Sequence, residues 1–163
     1  MLIQVTEKSE YRAFKQQKIQ KQSLTVRLAS TSKEIKAAQR LRHTVFSQEY
    51  GANFNSDSSE IDEDKFDQYC DHLLVHDKET KRVVGTYRIL RPEQAHLAGG
   101  FYSESEFDLS ELNAIRHEIV EFGRACIDID FRSGPALMLL WSGLSELIRQ
   151  NNYKYVLGCA SVS

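Results

Sequence analysis

A glutamate and an arginine interrupt an apolar segment of the chain. Glu121 and Arg124 lie in the run Glu118–Ile127, where burying charges is costly unless they have partners. Residues three apart point to opposite faces of a regular strand. We predict a β-bulge at Phe122–Gly123, which would bring both charges to one face, since glycine within a strand often marks a bulge. Such a strand suits acyl-transfer or amino-group chemistry. The alternative is a strand edge with a solvated glutamate and a structural arginine.

Other charged residues could join this pair. Arg42 lies on a predicted helix beside Phe46, Asp64 and Asp67 follow an acidic loop, and Arg88 lies in a predicted strand. Three arginines and several carboxylates on different elements could converge on one zwitterionic ligand. Taken alone, however, Arg42 would be an ordinary exposed helix arginine.

A second candidate site lies at a predicted strand-to-helix junction. The segment Phe131–Ala136 contains Arg132 and Gly134, and backbone N–H groups at such a junction can face a phosphate. Pro135 removes one of these donors, so the segment is a degenerate anion loop.

The sequence does not predict a metal site. His72 and His76 would share one strand face, but no third ligand lies nearby, so satisfied or exposed histidines are the better interpretation. The acidic run Asp57–Asp67 lacks the spacing of an EF-hand loop.

Hydrophobic periodicity predicts the elements that position these residues. A capping box, Thr31-x-x-Glu34, opens the first helix. The predicted order is β-α-β-β-β-α-β, with residues 91–115 irregular except for a short helix. Its members are a strand at Leu24–Ala29, a helix ending near Gly51, a hairpin of His72–His76 and Arg82–Leu90, a strand at Glu118–Ile127, a helix from about Leu137 to Asn151, and a strand at Tyr153–Cys159. A strand–helix–strand ending favours two adjacent parallel strands, so the fold class is α/β with a mixed sheet.

Composition limits the classes of protein. The 163 residues carry a net charge of −2 with 41% hydrophobic residues, which fits one compact domain and excludes the basic surface of a nucleic-acid binder. Cys70, Cys126 and Cys159 form no C-x-x-C pair, which favours a reducing compartment. With no visible signal peptide, and an uncharged stretch at 133–145 that is too short to span a bilayer, we expect a cytoplasmic protein.

The first 23 residues form a separate basic extension. They carry five cations against two anions and few apolar anchors, so we expect a loosely attached, solvated helix. The alternative is peripheral contact with an anionic membrane face or an acidic partner. The domain proper then covers residues 24–163.

Several long motifs, in order, resemble the ornithine–acyl carrier protein N-acyltransferase family, which starts ornithine lipid synthesis. This family shares the acetyltransferase-like (GNAT) fold with the acyl-homoserine-lactone synthases. The resemblance covers roughly residues 24–163 and rests on Ala38-Gln-Arg-Leu-Arg-His-Thr-Val-Phe46, Asp64-Lys-Phe-Asp-Gln-Tyr-Cys-Asp-His-Leu-Leu-Val75, Val84-Gly-Thr-Tyr-Arg88, Phe101-Tyr-Ser-Glu-Ser-Glu-Phe-Asp-Leu109, Glu121-Phe-Gly-Arg124, Ala136-Leu-Met-Leu-Leu-Trp-Ser-Gly-Leu144 and Gly158-Cys-Ala-Ser161.

The resemblance implies roles residue by residue. Glu121 would help to deprotonate the acceptor amine, and backbone N–H groups around Gly123 would face the thioester. Arg124 and Arg88 would organise the site or meet phosphate and carboxylate groups. The substrate-binding residues would be Arg42, Phe46, Asp64, Asp67 and Arg88, with the two aspartates favouring a cationic amino acid.

The resemblance also implies a reaction. A 3-hydroxyacyl group would pass from the phosphopantetheine of acyl carrier protein to the α-amine of ornithine, with no tightly bound cofactor. Arg132 and Gly134 depart from the phosphate loop of coenzyme A-dependent relatives, which makes acyl-CoA the less favoured donor. The alternatives are an N-acyl amino acid synthase, a lactone synthase that uses S-adenosylmethionine, and a non-catalytic module that binds the carrier protein. Fold relatives continue beyond the strand that Tyr153–Cys159 resembles, so we expect a domain that lacks its C-terminal part.

Overall fold

A mixed β-sheet forms the centre of the fold. The computed structural model describes residues 23–50, 60–132 and 134–159. Within these ranges the sheet has five strands in the order β1-β2-β3-β4-β5. Neighbours pair antiparallel except β4 and β5, which are parallel as predicted. The strands are β1 at Leu24–Leu28, β2 at Asp71–Asp77, β3 at Val83–Leu90, β4 at Ile119–Ile127 and β5 at Tyr155–Leu157.

Helices cover both faces of the sheet. They are α1 at Ser32–Tyr50, α2 at Pro92–Ala98 and α3 at Pro135–Asn151. Short 3₁₀ turns at Asp67–Tyr69, Tyr102–Ser105, Ser110–Glu118 and Ile129–Phe131 connect them to the strands. The helix expected within residues 91–115 is therefore α2, and the rest of that region is built largely from 3₁₀ turns.

The main core lies between α3 and one face of the sheet. Leu140 and Leu144 of α3 are buried against Val75, Val120 and other strand residues. Burial of each such side chain contributes about 1.5–3 kcal/mol. The apolar face predicted for this helix is thus the face that packs.

Gly143 allows α3 to approach the sheet closely. A Cβ at this position would lie 2.9 Å from Cδ2 of Leu73 and 3.1 Å from Cγ2 of Val26. A larger side chain there would push the helix away from β1 and β2.

A bulge interrupts β4. On β3, one residue separates Thr86 from Arg88, whereas two residues separate their partners Cys126 and Gly123 on β4. The bulge was expected at Phe122–Gly123, but the extra residue lies between Gly123 and Cys126, and the left-handed backbone occurs at Arg124, with φ of 51°. The predicted position was therefore wrong by one to two residues. A non-glycine residue in this conformation costs about 1–2 kcal/mol.

The bulge reverses which residues face each helix. Before it, Phe122 packs into the α3 core, and after it Cys126 packs with Leu41 and Val45 of α1. Positions 122 and 126 would share a face in a regular strand. Consequently Glu121 and Arg124 both contact Tyr102, so the expectation that a bulge places them on one side is confirmed.

Some predictions lie outside the described residues. The basic extension 1–23 is described only at Ser23, and the acidic loop is described only from Glu60 onward. Across the described ranges, no helix is both long and apolar enough to cross a bilayer.

Candidate active site

A network of three arginines and three aspartates joins four elements on the α1 face. Arg42 of α1 forms an ion pair with Asp62, its Nε lying 2.9 Å from the carboxylate, and its Nη2 donates a hydrogen bond to Asp67 Oδ1 at 2.6 Å. Arg88 of β3 contacts Asp64 at 2.7 Å and Asp67 at 3.1 Å. Because cations and anions are equal in number, the network can be buried with little net charge.

Burial divides the network into two layers. The side chains of Arg42 and Asp67 are 0% and 2% exposed, and that of Arg88 is 5% exposed. Asp64 and Arg124 are 22% and 30% exposed. Only these last two are open enough for a substrate to reach, so the buried members hold the others in place.

The geometry around Asp64 keeps it ionised. Burial alone would raise the pKa of this carboxyl, but the hydrogen bond and charge of Arg88, the Phe66 amide and the charge of Arg124 outweigh burial and lower the pKa. The backbone N–H of Asp64 donates to Asp67 Oδ2 at 3.0 Å, which fixes the loop. This partly exposed carboxylate is therefore a fixed negative charge beside Arg124.

Aromatic rings surround the Arg124 guanidinium. Its central carbon lies 6.0 Å from the ring centres of both Phe46 and Tyr102, within the range of cation–π attraction. Its nitrogens lie 3.3 Å from Asp62 and 3.6 Å from Asp64. Arg124 is therefore a partly exposed cation on the bulge, and aromatic rings and carboxylates lie around its guanidinium group.

Glu121 fixes the turn that follows α2. Its Oε2 accepts the Tyr102 N–H at 2.6 Å, and its Oε1 accepts the Ser103 N–H at 2.8 Å and the Ser103 hydroxyl at 2.5 Å. Hydrogen bonds of this kind stabilise a buried carboxylate. Glu121 is only 4% exposed, so any substrate proton must reach it through another group.

A chain of contacts leads from Glu121 to the surface. Ser103 Oγ lies 3.3 Å from Sγ of Cys159, which is exposed and follows β5. Sequence reasoning gave no role to Tyr102, Ser103, Cys159 or Asp62. Tyr102 and Ser103 occur within one of the family motifs, Cys159 occurs within another and otherwise indicates only the redox environment and the end of a strand, and Asp62 lies within the acidic run.

The expected anion loop is separate from this network. Arg132 forms an ion pair with Glu49 of α1, and its Nε donates to the Ile127 carbonyl at 3.1 Å. Gly134 is the N-cap of α3, with φ of 117°. Arg132 therefore ties the end of β4 to the end of α1.

An open groove lies along β5 on the opposite face of the sheet from the network. It has a volume of about 470 Å³, and apolar side chains including Tyr87, Phe122, Trp141 and Val156 line most of it. Cys159 lines the same groove and also contacts Ser103. The β4–β5 ladder ends at the pair Glu121 and Leu157, so the bulge lies just beyond the last paired residue.

The site holds no candidate metal centre. In the described parts of the chain no group of three or more histidine, cysteine, aspartate or glutamate side chains could bind an ion. Nε2 of the buried His72 lies 3.3 Å from the Asp67 carbonyl oxygen, and His76 lies four residues further along β2, just after a register shift between Val75 and His76.

We expect only one of the three thiols to react in the folded protein. Burial raises the pKa of Cys70 and of Cys126 to about 12, so their thiolate fraction at pH 8 is about 10⁻⁴. Cys159 is exposed. Iodoacetamide at pH 8 should therefore alkylate Cys159 alone, as read by peptide mass spectrometry. Denatured protein, in which all three react, is the control, and rapid native alkylation of Cys126 would contradict the packing of α1.

Protonation of His72 should destabilise the fold. Burial lowers its pKa below the ordinary value of 6.5, so the unfolded chain binds a proton more readily than the folded chain. Unfolding free energy should therefore fall as pH drops below about 6.5. His72→Asn should reduce the slope of that free energy between pH 7 and 5, measured by urea unfolding. Equal slopes in His72→Asn and wild type would contradict this account.

The fold and site define a known class. A family model described as acetyltransferase (GNAT) domain matches residues 41–142. The chain belongs to this family, and the GNAT-like fold expected from the motifs is confirmed.

Two proteins with the same name are similar in sequence to most of this chain. The chain is 42% identical over 148 residues to a Brucella abortus protein named L-ornithine N(alpha)-acyltransferase, an alignment that covers 85% of this chain and 53% of that protein. It is 36% identical over 146 residues to a Rhodobacter capsulatus protein of the same name, covering 85% and 56%. These relatives confirm the resemblance drawn from the motifs. The chain spans about half the length of the curated relatives it matches.

A solved structure supports the fold. The structure of BjaI, a CoA-dependent acyl-homoserine lactone synthase, with SAM and isopentyl-CoA superposes with a TM-score of 0.62 at 20% identity, covering 83% of this chain and 66% of that one. At this identity the likeness concerns the arrangement of strands and helices.

Proposed function

We propose that this chain is the catalytic portion of an N-acyltransferase that moves a 3-hydroxyacyl group from acyl carrier protein to the α-amine of ornithine. One observation carries the proposal. Glu121, the last residue of β4 that pairs with β5, and Arg124, within the bulge just beyond it, lie on one face of β4 in a chain 42% identical to a protein named L-ornithine N(alpha)-acyltransferase.

The reaction replaces a thioester by an amide. The neutral amine nitrogen attacks the thioester carbonyl carbon, a C–N bond forms, and the C–S bond breaks. The phosphopantetheine thiolate leaves with the electron pair of that bond and takes up one proton. Because the amine starts as an ammonium ion, the site must also accept protons from nitrogen.

Glu121 is the proposed final proton acceptor, acting through Ser103. The Ser103 hydroxyl donates to Glu121 Oε1 at 2.5 Å, so a proton arriving at Ser103 Oγ can be relayed onward. Cys159 is the exposed end of this series of contacts, and its Sγ lies 3.3 Å from Ser103 Oγ. General-base assistance of this type contributes about 10²–10⁴-fold.

The bulge is the proposed oxyanion site. Gly123 and Arg124 lie on the part of β4 that β5 does not pair with in the described chain, and we assign their backbone N–H groups as the donors. Removing one preorganised donor to a tetrahedral oxyanion typically costs about 3 kcal/mol. The backbone therefore supplies the donors, and neither residue needs a reactive side chain.

The exposed layer of the network is the proposed amino-acid site. Arg124 offers a guanidinium for the carboxylate of the acceptor, and Asp64 offers a carboxylate for its side-chain ammonium. Arg42, Asp67 and Arg88 were expected to bind substrate, but their side chains are at most 5% exposed. We therefore assign them to positioning Asp64 and Arg124. Phe46 contributes a ring beside Arg124.

The groove along β5 is the proposed site of the acyl chain. Its apolar walls include Phe122, which is adjacent to Gly123, so a chain lying there would bring its thioester to the bulge. Arg132 is held by Glu49, and Pro135 lacks an N–H donor. Both features favour a donor on a carrier protein over a tightly held coenzyme A.

An acceptor panel tests this proposal. The chain is mixed with 3-hydroxyacyl carrier protein and, separately, ornithine, lysine, glutamine, glycine or S-adenosylmethionine, and amide products are identified by mass spectrometry. We expect product with ornithine in preference to the others. Product with S-adenosylmethionine would indicate a lactone synthase. Product with another amino acid in preference to ornithine would show that this amino acid is the acceptor. Carrier binding without any product would indicate a binding module.

A further inference from the structure

A basic groove lies between α1 and the β1–β2 edge of the sheet, apart from the network and the acyl groove. It has a volume of about 800 Å³, and Thr25, Ala37, Thr44 and His76 are among its lining residues. None of the residues assigned to the amino-acid site, the acyl groove or the anion loop lines it.

The groove is positive in a chain that is negative overall. Three anions line it, namely Glu34, Asp77 and Asp128, and the cations that line it are Arg27, Lys33, Arg40, Lys78, Lys81 and Arg82. Six cations against three anions leave +3, whereas the whole chain carries −2. Such a local reversal of sign attracts anionic partners from solution.

The anions of the groove are already engaged. Glu34 pairs with Arg27, and Asp128 pairs with Arg82 at 2.7 Å. Asp77 accepts the N–H and hydroxyl of Thr80 in the β2–β3 turn. The four remaining cations have no ion-pair partner within the described ranges of the chain, and these are Lys33, Arg40, Lys78 and Lys81.

The groove lies at the end of the sheet where β4 finishes. Asp128, which lines it, directly follows β4 and lies four residues beyond Arg124, at most about 13 Å along the chain. A macromolecule seated in the groove could thus extend a flexible arm along β4 to the bulge.

The geometry points to this groove as the docking surface for the acidic carrier protein that presents the acyl thioester, an inference that rests on the proposed function. A lipid surface fits less well. Interfacial binding needs exposed apolar side chains beside the cations, and the large hydrophobic residues exposed in the described chain, such as Trp141, Met138 and Phe107, do not line the groove.

Charge reversal on both walls tests the surface. Arg40→Glu with Lys78→Glu places one change on α1 and one beside the β2–β3 turn. Arg149→Glu with Lys154→Glu, at side chains 72% and 63% exposed and outside the groove, makes the same change in net charge. Binding of dye-labelled acyl carrier protein is measured by fluorescence anisotropy at low ionic strength. Turnover is measured with the carrier-bound donor and with free acyl-pantetheine.

We expect the groove variant to weaken carrier binding by roughly tenfold or more, with turnover of free acyl-pantetheine unchanged, and the control variant to behave as wild type. Equal carrier affinity in wild type and groove variant, or no carrier binding by wild type, would overturn the inference. So would loss of binding to phosphatidylglycerol vesicles with carrier binding intact, which would assign the groove to a membrane. If carrier binding depends on the groove but no acylated ornithine forms, the docking surface is supported and the proposed reaction is contradicted.

Discussion

Replacing Arg42 with alanine is expected to lower the free energy of unfolding by about 3–5 kcal/mol. The guanidinium is fully buried and bonds the carboxylates of Asp62 and Asp67. Its removal leaves both anions out of water with too few partners. Equilibrium urea denaturation followed by circular dichroism measures the change.

A matched arginine separates this effect from a general loss of charge. Arg149 pairs with Glu146 on the surface, and its side chain is 72% exposed. Arg149→Ala should cost about 0–1 kcal/mol, because exposed pairs contribute little. Equal losses in the two variants would contradict the role of Arg42 as the centre of a buried network.

Replacing Glu121 with glutamine is expected to reduce kcat by about 10²–10⁴-fold. A neutral amide cannot take up the relayed proton, and its NH₂ group would face an N–H donor of Tyr102 or Ser103. The mismatched turn should also cost about 1–3 kcal/mol of stability. Initial rates of amide formation, measured well below the unfolding transition, report the kinetic effect.

Two further variants show whether the kinetic loss follows the relay. Ser103→Ala removes the hydroxyl that joins Glu121 to Cys159 and should also lower kcat. Glu118→Gln changes a nearby glutamate that pairs with Lys154 and should keep activity within about twofold. If Glu121→Gln retains full activity, the proton acceptor lies elsewhere.

Local patterns were sufficient to predict the order of elements. The capping box at Thr31 and Glu34 predicts the start of α1, and the leucine spacing from Leu137 predicts the buried face of α3. Both signals depend on residues close together in the sequence, so they predict the elements correctly without knowledge of tertiary contacts. The hairpin and the parallel pairing of the last two strands follow from the same local reasoning.

The position of the bulge depends on tertiary contacts. Glycine is the residue that adopts unusual backbone angles most readily, so Gly123 was the natural choice. Arg124 adopts them instead, and carboxylates and rings from α1, the acidic loop and the 102–105 turn surround its side chain. These contacts join segments far apart in sequence, so spacing alone could not reveal them.

The sequence also did not show how deeply each site residue is buried. A lone helix arginine is ordinarily exposed, yet Arg42 is fully buried because Asp62 and Asp67 reach it from a loop more than fifteen residues away. Ser103 and Cys159 meet across 56 positions of sequence. The sequence suggested that the three arginines and the aspartates could converge, but it gave no role to Asp62 or Ser103, and only the structure distinguishes residues that a ligand can reach from those that support them.

The most direct test of the account is to locate the new amide bond. The chain is incubated with 3-hydroxyacyl carrier protein and ornithine, and the product is fragmented by mass spectrometry. We predict a 3-hydroxyacyl group on the α-nitrogen, formed at least about 100-fold more slowly when Glu121→Gln replaces wild type. Acylation of the side-chain nitrogen, or product formed equally by both proteins, would contradict the site that β4 and its bulge define.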